Sequence, residues 1–367
     1  MMITEEKIYI KGFRSWAEIN KDRLIQNVKT IYSSVNKKIF AVVKADAYGH
    51  GALKVSEILQ EIPYVKYLCV ATAEEGKELR KKGIKKDILV LGGILRDEIK
   101  CFKEYSLVPV VSDFEQLKTV KENNIQKIHI KIDTGMHRLG FLPEDVEDIL
   151  KKVSGLKVEG LMSHFPSADT DPELTQKQIT EFEKIIKKFR SYGIDPEYVH
   201  LQNSAGLMYE CSYCNAVRIG LSIYGEKPSD SFNIPVKTVM SVRSKIITVK
   251  KIKKGQTISY GGRFKADRDM KIGVVAFGYA DGLPRELSNR GYFLINDIKV
   301  EIVGTITMDM TMVDLTDIDG VKPMDTVTIV GKDGKKEIYF DEIAKMCNTI
   351  PYEIMCRISK RVKRVVV

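Results

Sequence analysis

Phe40-Ala41-Val42-Val43-Lys44-Ala45-Asp46-Ala47-Tyr48-Gly49-His50-Gly51 is an apolar, strand-like run that stops at one lysine and enters a turn of small residues. A lysine there is poorly placed for solvent. Charged side chains are rarely buried without a partner, and a partly desolvated amine can lose its proton and become a nucleophile able to form a Schiff base. Lys44 is therefore the first candidate for chemistry. The competing reading is a strand-end charge that reaches water along its own stem.

Working outward, similar runs recur at Lys66–Ala71, Asp87–Leu91, Val108–Val111, Ile128–Ile132, Leu156–Met162, Tyr198–Leu201 and Ala216–Ile219, and with Ile39–Val43 they make eight. Helical patterns separate them. Asn20 can cap a helix carrying Leu24, Ile25, Val28 and Ile31, and Thr72 with Glu75 forms a capping-box pattern. A further helix starts at Pro143, with Glu144 and Asp145 in its first turn, presents Val146, Ile149, Leu150 and Val153, and stops near Gly155. Eight strand-helix units predict an α/β fold, a (β/α)8 TIM-type barrel, whose active sites lie at the C-terminal strand ends. Lys44 follows strand one, Arg138 strand five, His164 strand six and Ser204 strand seven, while Arg218, Gly220 and Leu221 belong to strand eight and its exit. Ser204 and the Gly220-Leu221 amides fall where such barrels bind phosphate.

After about Ser231 the pattern alternates, with Ile298, Val300 and Ile302 set against Lys299 and Glu301, and the pairs Asn296-Asp297 and Asp333-Gly334 read as turns. This predicts a mostly antiparallel β domain over 231–367, following a barrel over 17–230. One short helix, around Asp341 to Met346, is expected to interrupt it.

The 367 residues are 44% hydrophobic, enough for a large core, and carry a net charge of +10. The lysines lie in stretches such as Lys250-Lys251-Ile252-Lys253-Lys254 without interleaved aromatics, which favours a solvated basic surface over nucleic-acid binding. No apolar stretch matches a leader or a bilayer span, so the expectation is a cytoplasmic protein without membrane contact. Cys211-Ser212-Tyr213-Cys214 lacks a second cysteine pair and a histidine at ligand spacing; it reads as ordinary reduced cysteines, and no metal site is expected.

The opening run resembles the Lys-Ala-x-Ala-Tyr-Gly-His-Gly signature of the alanine racemases, which use pyridoxal 5'-phosphate on a barrel followed by a β domain; Asp46 stands where many members have Asn. The resemblance continues through Lys131-Ile132-Asp133-Thr134-Gly135-Met136-His137-Arg138-Leu139-Gly140, Ser163-His164-Phe165, Asn203-Ser204-Ala205, Val217-Arg218-Ile219-Gly220-Leu221, Ser259-Tyr260-Gly261, Gly278-Tyr279-Ala280-Asp281-Gly282, Met308-Asp309-Met310 and Tyr352-Glu353. In order and spacing these cover nearly the whole chain, far beyond a lone motif.

That resemblance implies interconversion of L- and D-alanine, supplying D-alanine for peptidoglycan, with Lys44 anchoring the cofactor and serving one face of the substrate and Tyr260 serving the other. His164 and Arg218 would support Tyr260 in a hydrogen-bonded chain, and Arg218 would face the pyridine nitrogen. Arg138 would reach both the cofactor and the substrate carboxylate, and Lys131 corresponds to a lysine that many members carbamylate. Tyr48, Asn203, Ser204, Tyr352 and the backbone of Gly220 and Leu221 are the implied cofactor contacts, with Asp309 in support. The resemblance further implies a homodimer in which Tyr260, Tyr279 and Met308 come from the partner subunit, and an N-terminal strand near residues 10–16 that joins the β domain. His137 stands where many members have Gly, and Thr305 and Thr307 depart from the family's usual residues. A serine or broad-specificity racemase, a non-catalytic pyridoxal-phosphate-binding barrel and a fold-related decarboxylase remain alternatives, since fold does not fix function.

Overall fold

The computed structural model describes residues 12–367, which form two compact units: residues 21–237, and residues 12–20 together with 238–367. In the second unit, strand β1 (Ser15–Ile19) pairs antiparallel with Met240–Ile252 and parallel with Lys363–Val366. The N-terminal strand thus overlaps residues 10–16 at Ser15 and Trp16 and runs on to Ile19, while residues 10 and 11 lie outside the described residues. Pairing removes Ala17–Ile19 from the barrel unit, which begins at Lys21. At the other end, Lys237 rather than residue 230 closes that unit. The buried Asn27 amide donates to Lys237 O at 2.8 Å, its carbonyl accepts from Lys237 N at 2.8 Å, and Ile223 O takes a further bond.

The barrel strands are β2 (Lys38–Val42), β3 (Val65–Val70), β4 (Asp87–Val90), β5 (Val108–Val111), β6 (Lys127–Lys131), β7 (Lys157–Met162), β8 (Tyr198–His200) and β9 (Ala216–Ile219). All neighbours are parallel, and β9 closes on β2 with Ala41 opposite Ile219. The eight strands agree with the sequence reading to within two residues because each is a short β-branched or aromatic run bounded by polar breaks. Helix Lys21–Val35 buries Leu24, Val28 and Ile31, and a turn at Pro143–Asp145 leads into helix Val146–Lys152.

The barrel interior is unusually polar-aromatic. Phe40 packs against Tyr67, Tyr198 and His200, and His129 lies edge-on to Tyr67 and to His200. Gly160 on β7 makes room for this layer, since a Cβ there would collide with the His129 imidazole.

In the second unit, β10 (Met240–Ile252) is the long central strand, paired along one half with Thr326–Asp333 and along the other with Met270–Val275. Asn296 and Asp297 make the two-residue hairpin between Tyr292–Ile295 and Ile298–Glu301, both at φ between 50° and 66° as such a turn requires. Two helices, Phe340–Met346 and Pro351–Arg357, interrupt the sheet where the sequence predicted one. The second starts at Pro351, a favourable first position, but is only seven residues long and half-exposed, so it has little apolar periodicity to read.

Gly160→Ala is expected to lower stability by about 1–3 kcal/mol, the usual cost of overpacking a filled core. A denaturant midpoint unchanged from that of the parent protein would show that the histidine layer yields freely.

Candidate active site

The turn after β2 decides where Lys44 stands. Ala45, Asp46, Ala47 and Tyr48 all have φ between 51° and 54°, and Gly49 follows at 77°, so the chain makes a left-handed turn through four non-glycine residues. Each costs about 1–2 kcal/mol relative to right-handed geometry, so the surroundings must hold it. Glu75 does much of this. Its carboxylate accepts from Ala45 N at 2.7 Å and from Ala71 N at 2.7 Å, while only the Thr72 half of the expected capping box forms, with Thr72 Oγ1 accepting from Glu75 N. Asp46 holds the far end, accepting from Ala52 N at 2.8 Å.

Tyr48 is thereby turned inward, buried and stacked obliquely on Tyr224 at 5.2 Å, with its hydroxyl against Gly220, where any Cβ would collide with it. Next to Gly220, Ser204 Oγ accepts from Ser222 N at 3.3 Å, and the Ser222 hydroxyl is fully buried without a partner among the described residues. Tyr48, Ser204, Ser222 and the backbone from Gly220 to Leu221 therefore form one cradle of hydrogen-bond donors. Asn203 stands beside it in a different role: its amide donates to Phe165 O at 3.3 Å and its carbonyl accepts from Gly206 N at 2.9 Å, which ties two loops together.

Arg218, in β9, is buried. One terminal nitrogen donates to His200 O at 2.6 Å and His200 Nδ1 at 2.7 Å; the other donates to Ser163 O at 2.5 Å, His164 Nδ1 at 3.0 Å and Leu201 O at 3.1 Å. Among the described residues, Nε is left uncommitted. Because a guanidinium only donates, both histidines must accept at Nδ1 and carry their proton on Nε2. His200 Nε2 then donates to His129 Nδ1 at 2.8 Å, and His129 Nε2 points to Glu159 at 3.4 Å. One guanidinium thus fixes three tautomers down the barrel. Burial, with the nearby Arg218 charge, holds His164 and His200 well below the ordinary imidazole value, and burial lowers His129 despite Glu159. Burial pulls Arg218 itself down to about 10, still protonated at neutral pH.

Lys131 ends β6 with its amine buried, held at about 8 by burial and then by the charges of Arg218 and Arg138. Arg138 is exposed on the loop that Asp133 organises, where one carboxylate oxygen accepts from the amides of Gly135, Met136 and His137 at 2.9–3.0 Å. Burial opposes ionisation of Asp133, but these donors outweigh it and hold the carboxyl below its ordinary range. His137 sits at φ 54°, which accounts for glycine being common there in the resembled pattern. Lys44, Lys131, Arg138 and Arg218 thus gather four cations at one barrel mouth, and Lys44 and Arg138 both depress His164 electrostatically.

In the second unit, Tyr260, Tyr279, Met308 and Asp309 come together. Thr305 Oγ1 donates to Tyr260 O at 2.9 Å, Ser259 Oγ donates to Thr305 O at 2.6 Å, Tyr279 N to Thr307 O, and Ala280 N to Met308 O. Asp309 accepts from Arg361 at 2.8 Å, and Tyr352 lies on the helix Pro351–Arg357. Tyr260, Tyr279 and Met308 are 74%, 43% and 53% exposed in the single chain.

Comparison with known proteins matches the family models described as alanine racemase, N-terminal domain, over residues 19–228 and alanine racemase, C-terminal domain, over residues 239–366. The chain belongs to the alanine racemase family. It is 45% identical to the alanine racemase of Aquifex aeolicus over 354 residues, covering 96% of this chain and 99% of that one. Among solved structures, the alanine racemase of Clostridium difficile 630 superposes with a TM-score of 0.91 at 34% identity, covering 96% of both chains. That of Bartonella henselae, solved with covalently bound pyridoxal phosphate, has a TM-score of 0.86 at 27% identity and covers 96% of this chain and 99% of that one. An alanine racemase is an isomerase, and this chain is one.

For this racemase, sequence reading missed Glu75 as the clamp on the lysine turn, the column His200–His129–Glu159, Thr305 as the support of Tyr260, and Ser222. Glu75 was visible only as a helix-start signal. The polar residues inside apolar strands, such as His129 between Ile128 and Ile130, were the available sign of the column.

Depressed histidines make the folded state bind fewer protons than the unfolded chain, so stability must fall as pH drops below about 6.5. The unfolding free energy is expected to decline between pH 6.5 and 5 with a slope approaching about 3 kcal/mol per pH unit from the two strongly depressed groups, His164 and His200, with His129 acting in the same direction. A flat profile in chemical denaturation over that window would contradict neutral buried imidazoles.

Proposed function

We propose that this isomerase binds pyridoxal 5'-phosphate at the barrel mouth and racemises alanine with two opposed proton carriers, Lys44 and Tyr260, in the cytoplasm, supplying D-alanine for cell-wall peptidoglycan. The observation that carries the reading is the convergence of Lys44, three further cations and the donor cradle around Gly220 at one end of the barrel. The residues suit the group: an orphaned buried hydroxyl, a glycine whose missing Cβ admits Tyr48, and a spare guanidinium N–H correspond to a phosphate and a ring nitrogen. Lys44 would hold the cofactor covalently, Tyr48, Ser204, Tyr352 and the Gly220 and Leu221 amides its phosphate, and Arg218 Nε its ring nitrogen. Once bound, the cofactor makes the substrate's α-proton acidic by delocalising negative charge.

The chain's own residues do the rest. Arg138 pairs with the substrate carboxylate, for which a planar fork of donors is suited. Lys44 Nζ takes or returns the α-proton on one face, and Tyr260 Oη does so on the other. A tyrosine ordinarily titrates near pH 10 and needs help as a base. His164 Nε2–H, oriented by Arg218, provides a donor that favours the phenolate. Asp309 secures the loop that carries Met308 by its bond to Arg361. Tyr260, Tyr279 and Met308, exposed in one chain, are supplied to the site by a second copy in a homodimer.

Lys44→Ala and Tyr260→Ala homodimers are each expected to lose nearly all conversion of L-alanine to D-alanine in a chiral assay. Mixing the two under exchanging conditions should restore activity in heterodimers that contain one complete site. No recovery despite demonstrated exchange would refute sharing between subunits, and an active Lys44→Ala enzyme would refute the mechanism itself.

The depressed Lys131 amine is partly neutral near pH 8, the form that reacts with carbon dioxide, and the resulting carbamate would turn one of four crowded cations into an anion beside Arg138. Native mass spectrometry in bicarbonate should then show an added mass of one carbon dioxide that Lys131→Ala lacks. An unmodified mass across mildly alkaline pH would rule the modification out.

A further inference from the structure

The opposite face of the barrel carries a second arrangement of reactive groups that racemisation does not use. The segment before β9 makes the turn Cys211-Ser212-Tyr213-Cys214, closed by a bond from Cys214 N to Cys211 O at 3.1 Å. Both cysteines are 2% exposed, and their sulfurs lie 2.8 Å apart, inside ordinary non-bonded contact. Residues that close a turn bring their Cα atoms within about 7 Å, the span a disulfide accepts. The turn is held from three sides. Lys37 Nζ donates to Cys211 O and to Gln202 Oε1, each at 2.7 Å; the Tyr213 hydroxyl donates to Ile179 O; and Cys214 N is fixed as above. Neither sulfur can move far from the other.

The pair is not sealed. A cleft of about 660 Å³ opens at the N-terminal end of the barrel, lined by Cys214 and Ser212 together with Lys37, Lys38, Lys66 and Glu197. Three lysines against one glutamate give it a positive balance, suited to an anionic visitor.

We propose that Cys211 and Cys214 are a redox-active dithiol, closed to an intramolecular disulfide by a small anionic disulfide such as oxidised glutathione that enters this cleft. The thiolate of the cleft-facing sulfur attacks one sulfur of the oxidant, breaking its S–S bond and releasing one small thiol. The second cysteine gives up its proton, attacks the protein sulfur of the mixed disulfide and releases the second small thiol. Two protein thiols are oxidised, one small disulfide is reduced to two thiols, and atoms and electrons balance. The hydrogen bond between the two sulfurs pulls Cys211 below the ordinary thiol value, while burial, with that bond, pushes Cys214 above it. The shared negative charge thus rests first on Cys211, and across the 2.8 Å contact Cys214 passes its proton to Cys211, so that the sulfur lining the cleft becomes the attacking thiolate and Cys211 the thiol that later gives up its proton.

The test uses the full chain with its cofactor, equilibrated in buffers of rising oxidised-to-reduced glutathione ratio, quenched with an alkylating reagent and digested. The peptide containing both cysteines should progressively lose the mass of two hydrogens and escape alkylation, in parallel with loss of two of the six thiols. A Cys356→Ser protein, lacking the exposed thiol, should behave identically, and the oxidised parent should unfold at a higher temperature than Cys214→Ala in the same buffer. Alkylation of both cysteines at every ratio would overturn the proposal. Accumulation of glutathione on either one as a lasting mixed disulfide would do so equally.

Discussion

The buried guanidinium of Arg218 is the constraint around which the barrel is arranged. A charge that is 3% exposed must have its donors met, and no carboxylate is among its direct partners. Three backbone carbonyls and two imidazoles take that place, drawn from the exits of β7 and β8. Breaking such a set by removing one side leaves an uncompensated buried charge, which is far costlier than losing an ordinary hydrogen bond. The strand ends that carry His164, Ser204 and Gly220 are consequently positioned by the same residue that fixes the tautomer of His164. Precision at the mouth and rigidity of the barrel have one origin.

The column beneath Arg218 extends that logic to the far end of the barrel. Each member donates to the next, from Arg218 through His200 and His129 toward Glu159, and the carboxylate that ends the series also accepts from Tyr67 and pairs with Lys127 at 3.1 Å. Burial opposes ionisation of Glu159, yet His129, Tyr67 and Lys127 outweigh it and hold the carboxyl at about 2. The direction of every bond is therefore set at both ends, by a group that only donates and a group that only accepts. A hydrocarbon core of the same volume would pack as well but would leave the guanidinium unmet.

The barrel was legible because its strands are short apolar runs at regular spacing, and Lys44, Arg138, His164 and Arg218 were legible because they sit where those runs end. Placing these four with Ser204, Gly220 and Leu221 at one mouth needed only the barrel topology, whereas Tyr48, Asn203 and Lys131 came from the family resemblance. Side-chain pairings across the barrel were not legible, since His129 and His200 are 71 residues apart and neither carries a local signal of the other. The capping pattern at Thr72 and Glu75 was read correctly as a helix start, but its carboxylate reaches 30 residues back to Ala45. Local rules describe what a residue offers to its own segment; tertiary contact decides which offer is taken up.

The left-handed turn after Lys44 shows why such contact has to be strong. Four non-glycine residues in that geometry would together cost roughly 4–8 kcal/mol, comparable to the net stability of a typical domain. A glycine-rich turn would avoid the strain, but a flexible segment could not hold the lysine amine at one position and the Tyr48 hydroxyl against Gly220 at once. Glu75 and Asp46 pin the two ends, and Tyr48, buried against Tyr224, locks the middle. The strain is thus retained because it points two candidate site groups of one short segment into the same mouth, where a relaxed right-handed turn would send one of them elsewhere.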